Sequence, residues 1–136
     1  LTKMPTKTPV LHFLLLLCIC LGTACNNIID QRYTITLATI QNDTDGLLNQ
    51  VRVRHQPTGA IGTTNYILPH RSFNVRFDGR AMMGDSATIS WIDEQGEYYS
   101  NTLLLPKNQN NDDQEKQLVY RIRQGNQVSV VIMNPR

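Results

Sequence analysis

The sequence predicts an all-β protein: one small β-sandwich of seven to eight short, mostly antiparallel strands, with a small β-barrel as the alternative closure. Three observations carry this reading. Beyond residue 31, apolar side chains recur with period two in short runs, as in Phe73, Val75 and Phe77 set against Asn74 and Arg76. Clusters of Asn, Asp, Gly and Pro punctuate these runs at regular spacing. No segment after Cys25 carries the i, i+3, i+4 apolar spacing of a helix. Strands of this kind hide one apolar face each, by stacking two sheets or by closing one sheet on itself.

Taken in order, Arg32 to Ile40 is the first strand, with Tyr33, Ile35 and Leu37 expected on one face. Gln41 to Gly46 supplies a turn, because Asn, Asp and Gly tolerate left-handed dihedrals. Leu48 to His55 follows, with Val51 and Val53 inward and Arg52 and Arg54 outward, and Pro57-Thr58-Gly59 ends it. Gly62 to Leu68 reads as an edge strand stopped by Pro69, since proline cannot donate to a central ladder. Ser72 to Phe77 alternates cleanly and halts at Asp78-Gly79. Ala87 to Ile92 places Ala87, Ile89 and Trp91 in phase, and Asp93 to Gly96 returns the chain into Glu97 to Leu105. Pro106 to Gln117 holds no apolar side chain beyond the proline and is expected to be a solvated loop. Gln117 to Arg123 and Gln127 to Met133 close the chain as a hairpin around Gln124-Gly125-Asn126, with Leu118, Tyr120 and Ile122 facing Val128, Val130 and Ile132. The turn and strand from Asn42 to Val51 resemble the opening of immunoglobulin-like or transthyretin-like extracytoplasmic modules, which implies a two-sheet sandwich.

The N-terminal stretch has a different character. Lys3 and Lys7 precede an apolar run from Val10 to Leu21, broken only by His12, and small residues follow at Gly22 and Ala24. That is the layout of a secretory signal helix, and the run is shorter than the roughly 20 residues a spanning helix needs. Leu21, Ala24 and Cys25 resemble the end of a bacterial lipoprotein signal, although Gly22 stands where a Leu is usual. The resemblance implies cleavage before Cys25 and lipid on its sulfur, and Asn26 in second place resembles cargo of the outer membrane. Cys18 and Cys20 would leave with residues 1–24, so Cys25 would be the lone thiol of the mature chain, a liability in an oxidising space unless it is modified. The expected organisation is a signal over 1–24, a tether over 25–31 and the β domain over 32–136. The expected location is the envelope, on the outer membrane facing the periplasm; a retained signal anchor or a secreted soluble protein are the alternatives.

Removal of the signal also changes the charge. Of 13 basic residues, Lys3 and Lys7 would depart, leaving 11 against 11 acidic residues, all of which follow Cys25. A neutral mature chain lacks the basic excess that nucleic-acid binding requires.

Chemistry-bearing patterns are few. Asn42 to Gly46, NDTDG, contains a fragment of a calcium loop, but the twelfth residue from Asp43 is Arg54 where such a loop needs Glu, so a turn is the better reading. Asn42-Asp43-Thr44 also satisfies a glycosylation sequon. His55 and His70 have no ligand at metal spacing and read as surface or strand-end residues. Ser72 and Ser86 lack a nucleophile-elbow context, and Asp93 and Glu94 sit on a hairpin tip. These features predict a protein that is not an enzyme and takes no cofactor or metal. What remains is a set of outward arginines, Arg52, Arg54, Arg76, Arg121 and Arg123, suited to bidentate contact with carboxylate or phosphate. They would form a basic stripe if their strands share a sheet, or pair with acids on neighbouring strands. Tyr98 and Tyr99 are candidate aromatic contacts on opposite faces of one strand. The function implied is a non-catalytic envelope lipoprotein contacting a protein or envelope component. Its alternative is a secreted or anchored carbohydrate-binding or enzyme-inhibiting module.

Overall fold

The structure, a computed structural model, describes residues 33–77, 82–107 and 115–134. The expected signal, the tether and the middle of the 106–117 loop lie outside the described residues. The strands are β1 (Tyr33–Asp43), β2 (Leu48–Gln56), β3 (Ile61–Ile67), β4 (Ser72–Arg76), β5 (Met82–Met83), β6 (Ser86–Ile92), β7 (Tyr98–Leu104), β8 (Lys116–Arg123) and β9 (Gln127–Met133). They make two sheets, one ordered β4-β1-β8-β9 with the short β5 added to β1, the other ordered β3-β2-β6-β7. Only β1 and β8 run parallel, and the strands stack as a sandwich rather than closing as a barrel.

The core lies where the inward positions of both sheets meet. Ile35, Ala38 and Ile40 of β1 and Leu118, Tyr120 and Ile122 of β8 are fully buried. From the other sheet come Val51 and Val53 of β2 and Ala87, Ile89 and Trp91 of β6. Each such aliphatic side chain contributes roughly 1.5 to 3 kcal/mol by leaving water. Trp91 stacks on Tyr99 with ring centroids 5.5 Å apart, so the inward tyrosine of β7 extends the apolar layer. At the edge where the two sheets come together, Gly62 of β3 is buried beneath Val75 of β4. A Cβ there would collide with the valine side chain, which is why glycine occupies this inward position.

Strands β1, β2 and β3 depart from simple alternation, and the departure in β1 corrects the sequence reading. Leu37 was expected on the face of Ile35, but the β1–β8 register shifts between these residues. One extra residue flips every later side chain, so Ala38, Ile40 and Asn42 turn inward and Leu37 is only half-buried. In β2 the register with β6 shifts between Asn49 and Arg52, with Gln50 left-handed at φ 47°, and Leu48 and Val51 are thereby both buried. Lys116, expected in the solvated loop, begins β8 and is buried, its ammonium donating to Asn134 Oδ1 at 2.9 Å.

Two polar groups tie the sheets together. Asn42, at the end of β1, has no exposed surface. Its amide donates to Gly46 O at 2.8 Å and to Ile67 O and Leu68 O, each at 3.1 Å. Its Oδ1 accepts from the Thr44 backbone N–H at 3.0 Å and hydroxyl at 2.7 Å, and its own backbone N–H donates to Arg71 O at 2.9 Å. One side chain thus fastens the β1–β2 turn to the end of β3 in the opposite sheet. A glycan on this nitrogen would require breaking that set, so the sequon is occupied by structure.

His55, expected near the surface, is fully buried at the far end of β2. Its Nε2 lies 2.7 Å from the Tyr120 hydroxyl across the sandwich, and Phe77 meets the ring edge-on at 5.2 Å. Nδ1 has no hydrogen-bond partner among the described residues. Its flanking residues in β2, Arg54 and Gln56, are polar, and alternation from Val51 and Val53 places a strand-end residue inward without saying how deep.

Burial lowers the His55 pKa from 6.5 to about 4. The unfolded chain therefore takes up the proton first as the pH falls. The stability associated with neutral His55 is fully present above pH 6.5 and is lost as the pH drops toward 4. Urea titrations should lose about 2 kcal/mol between pH 7 and pH 5 from this group, and His55→Gln should flatten that dependence. Asn42→Ala should cost about 2 to 4 kcal/mol in the same assay, because buried carbonyl and N–H partners lose their bonds. Asn42→Asp should be no better tolerated, since a carboxylate would face three carbonyl oxygens.

Candidate binding face

The five outward arginines do not share a sheet. Arg52 and Arg54 lie on β2, in the β3-β2-β6-β7 sheet, whereas Arg76 on β4 and Arg121 and Arg123 on β8 lie in the other. All occupy outward positions, as the alternation predicts, but on opposite outer faces of the sandwich.

The outer face of the β4-β1-β8-β9 sheet is bonded internally along β1 and β8, although Arg76 on β4 is exposed and has no ion-pair or hydrogen-bond partner among the described residues. Arg121 Nε stands 3.1 Å from Asp43 Oδ2 as an ion pair, not aligned as a hydrogen bond, and Arg123 donates to Ser129 Oγ at 3.0 Å. Thr39 donates to Asn74 Oδ1 at 2.8 Å and accepts from Gln117 at 2.9 Å. The acid that pairs with Arg121 is thus Asp43, the last residue of β1, which the parallel β1–β8 register sets beside Arg123 and which reaches Arg121 diagonally.

The opposite outer face is open. Strands β2, β3, β6 and β7 contain no Asp or Glu at any position. Arg52 and Arg54 are exposed, and neither has an ion-pair or hydrogen-bond partner among the described residues. Register places them in rows of small hydroxyls: Arg52 beside Thr63 and Ser90, with Ser100 next, and Arg54 beside Ile61 and Thr88, with Thr102 next. Thr88 and Thr102 share a hydrogen bond at 2.9 Å. A third row runs Tyr66, Asn49, Ile92, Tyr98 and ends in a tyrosine at each edge of the sheet, 58% and 66% exposed. Among the described residues, the carboxylates nearest this sheet along the chain lie at its strand ends, at Asp45, Asp85 and in the 93–97 turn.

Tyr98 is therefore outside and Tyr99 inside. The strand's alternation required that split, and the Trp91 stack decided its sense. Burial and then the neighbouring Asp93 carboxylate push the Tyr99 hydroxyl above its ordinary pKa. Tyr66 and the hydroxyl rows were not singled out from the sequence. Their signal was present as the Ser-x-Thr-x-Ser of β6 and the Ser-x-Thr of β7, but only register sets them side by side.

A second concavity, of about 340 Å³, sits where the turns after β1, β6 and β8 meet. Its carboxylates are committed to holding those turns. Asp93 Oδ1 accepts from the Gln95 and Glu97 N–H groups, each at 2.9 Å, and Glu94 accepts from Leu47 N–H at 2.7 Å. Asp45 bonds exposed His70 at 2.9 Å and Gln124 at 3.2 Å. The NDTDG segment is accordingly a turn whose oxygens diverge. Ser72 and Ser86 stand on the separate strands β4 and β6.

No family model matches the chain, and no curated protein matches it. Among solved structures it is similar to the NMR structure of a protein from Eubacterium rectale, at 15% identity and a TM-score of 0.51, covering 74% of this chain and 90% of the other. That likeness is one of fold.

Because Arg52 and Arg54 have no ion-pair or hydrogen-bond partner among the described residues, replacing both with Ser should leave stability within about 0.5 kcal/mol in urea melts. Arg121→Ala, which breaks a part-exposed pair, should cost up to about 1 kcal/mol at low salt.

Proposed function

We propose that this chain is a non-catalytic binding module of a bacterial envelope, anchored through lipid on Cys25 and presenting the β3-β2-β6-β7 face to a protein or envelope component. The observation that carries the binding part is the contrast between the two outer faces. One pairs Arg121 with Asp43 and bonds Arg123 to Ser129, with Arg76 left unpartnered among the described residues, while the other has no acid on its strands and leaves two arginines, two tyrosines and the exposed hydroxyls of Thr63 and Ser100 uncommitted. Desolvating a bare guanidinium is worthwhile only against an anion or a set of acceptors, and such a partner would be supplied from outside the chain. The anchoring part is supported by the sequence from Leu11 to Cys25, whose apolar run, small residues and lone surviving thiol fit an exported lipoprotein. More than one acyl chain would hold the protein firmly, since one alone binds marginally.

A two-part experiment tests this. In the native host, intact mass should reveal acyl groups on an N-terminal Cys25, and Cys25→Ser should move the protein from membranes to the soluble fraction. An unmodified Cys25 in a protein that still sediments would remove the anchor from the proposal. Purified envelopes should then capture wild-type domain in preference to the Arg52→Ser/Arg54→Ser variant, and equal capture would remove the binding face.

A further inference from the structure

We infer that the occupant of this face is an acidic polysaccharide, one whose sugars carry carboxylate groups. The inference rests on the binding-face reading above and deepens it by naming the ligand's chemistry.

Three features of the face converge on that class. The first is charge: Arg52 and Arg54 stand two residues apart on β2, about 7 Å along the strand, with no carboxylate on any of the four strands. Each guanidinium presents a planar fork of donors that matches a carboxylate. The second is the hydroxyl field. Thr63, Ser100 and Thr102 are exposed in the two arginine rows, with Thr88 bonded to Thr102 and Ser90 buried between them, and short hydroxyls both donate and accept. A sugar ring carries the same dual-function groups at every carbon, so it can be matched row by row. The third is the pair of exposed tyrosines at the two edges of the adjoining row, Tyr66 and Tyr98. Their ring faces offer apolar area of the kind that the C–H side of a pyranose covers, with a hydroxyl left for the rim.

Charge complementarity selects against the other occupants. A nucleic acid would meet only two cations on a face where several phosphates per turn need neutralising. A protein interface of standard size would want a desolvated apolar centre, whereas the centre here is Ser, Thr and Arg, and the large apolar side chains Ile61 and Leu104 stand at the margins.

The test uses the full exported chain in mild detergent, with polygalacturonate and alginate as probes. Affinity electrophoresis through gels containing either polymer should retard the wild-type protein, and the same polymer reduced at its carboxyl groups should not. Arg52→Ser/Arg54→Ser should weaken retention about tenfold or more, as expected for loss of charge-assisted hydrogen bonds. Tyr66→Ala/Tyr98→Ala should weaken it severalfold at unchanged charge, which a merely electrostatic attraction would not do. Urea melts of each variant should match wild type within about 0.5 kcal/mol, so that loss of binding is not loss of fold. Equal retention by polyglutamate would overturn the sugar assignment, as would passage through both acidic polymers unretarded. If that happens while isolated envelopes still require the arginine pair for capture, the polysaccharide falls and the binding face stands.

Discussion

The five side-chain hydrogen bonds of Asn42 set the geometry of one end of this sandwich. A chain that leaves one sheet at the end of β1 and enters the other at β2 must turn sharply while burying backbone carbonyls that no strand partner can satisfy. Asn42 supplies the missing donors to Gly46, Ile67 and Leu68 and takes the Thr44 N–H and hydroxyl in return. Because Ile67 and Leu68 belong to the end of β3, the same side chain that shapes one crossing also holds the next, where β3 gives way to β4. An amide is suited to this task because it donates and accepts at once. A carboxylate or a hydroxyl would leave part of the set unmatched.

The bulge in β1 is what brings Asn42 to that position. Had alternation run unbroken from Ile35, the inward residues would have been Leu37, Thr39 and Gln41, and the asparagine would have faced water. The shifted register instead buries Ala38, Ile40 and Asn42, and sends Thr39 outward to bond Asn74 and Gln117. The second irregularity, at Gln50, acts similarly on β2. It keeps Leu48 in the core beside the Asn42 turn while preserving the outward phase of Arg52 and Arg54. Farther along β2, the His55–Tyr120 bond spans the core, and burial there holds the His55 pKa below its ordinary value.

The two outer faces differ because their charges were placed differently along the chain. On the β4-β1-β8-β9 side, the parallel β1–β8 pairing runs both strands toward the same end, so Asp43, the last residue of β1, arrives within reach of Arg121. On the other side every pairing is antiparallel and the acids fall at the strand ends, away from the middle of β2. The result is one face that carries an ion pair and another whose strands carry arginines and no acid. Net charge alone is blind to such a division, since it sums over both surfaces.

Period-two alternation and turn chemistry by themselves determined the class of fold, eight of the nine strands to within a few residues, and the outward direction of each arginine. These are local properties: a strand's pleat dictates which side chains share a face, and Asn, Gly and Pro dictate where it stops. The short β5, the phase of β1 beyond Ile35 and the burial of His55 depended on contacts distant in sequence, and no local pattern encodes them. The grouping of the arginines was likewise a tertiary matter. Sheet membership separated Arg76, Arg121 and Arg123 from Arg52 and Arg54, and antiparallel register assembled Thr63, Ser90, Ser100, Tyr66 and Tyr98 around the latter pair. A candidate site made of single residues from four strands exists only once those strands are paired, because pairing alone fixes which side chains are neighbours.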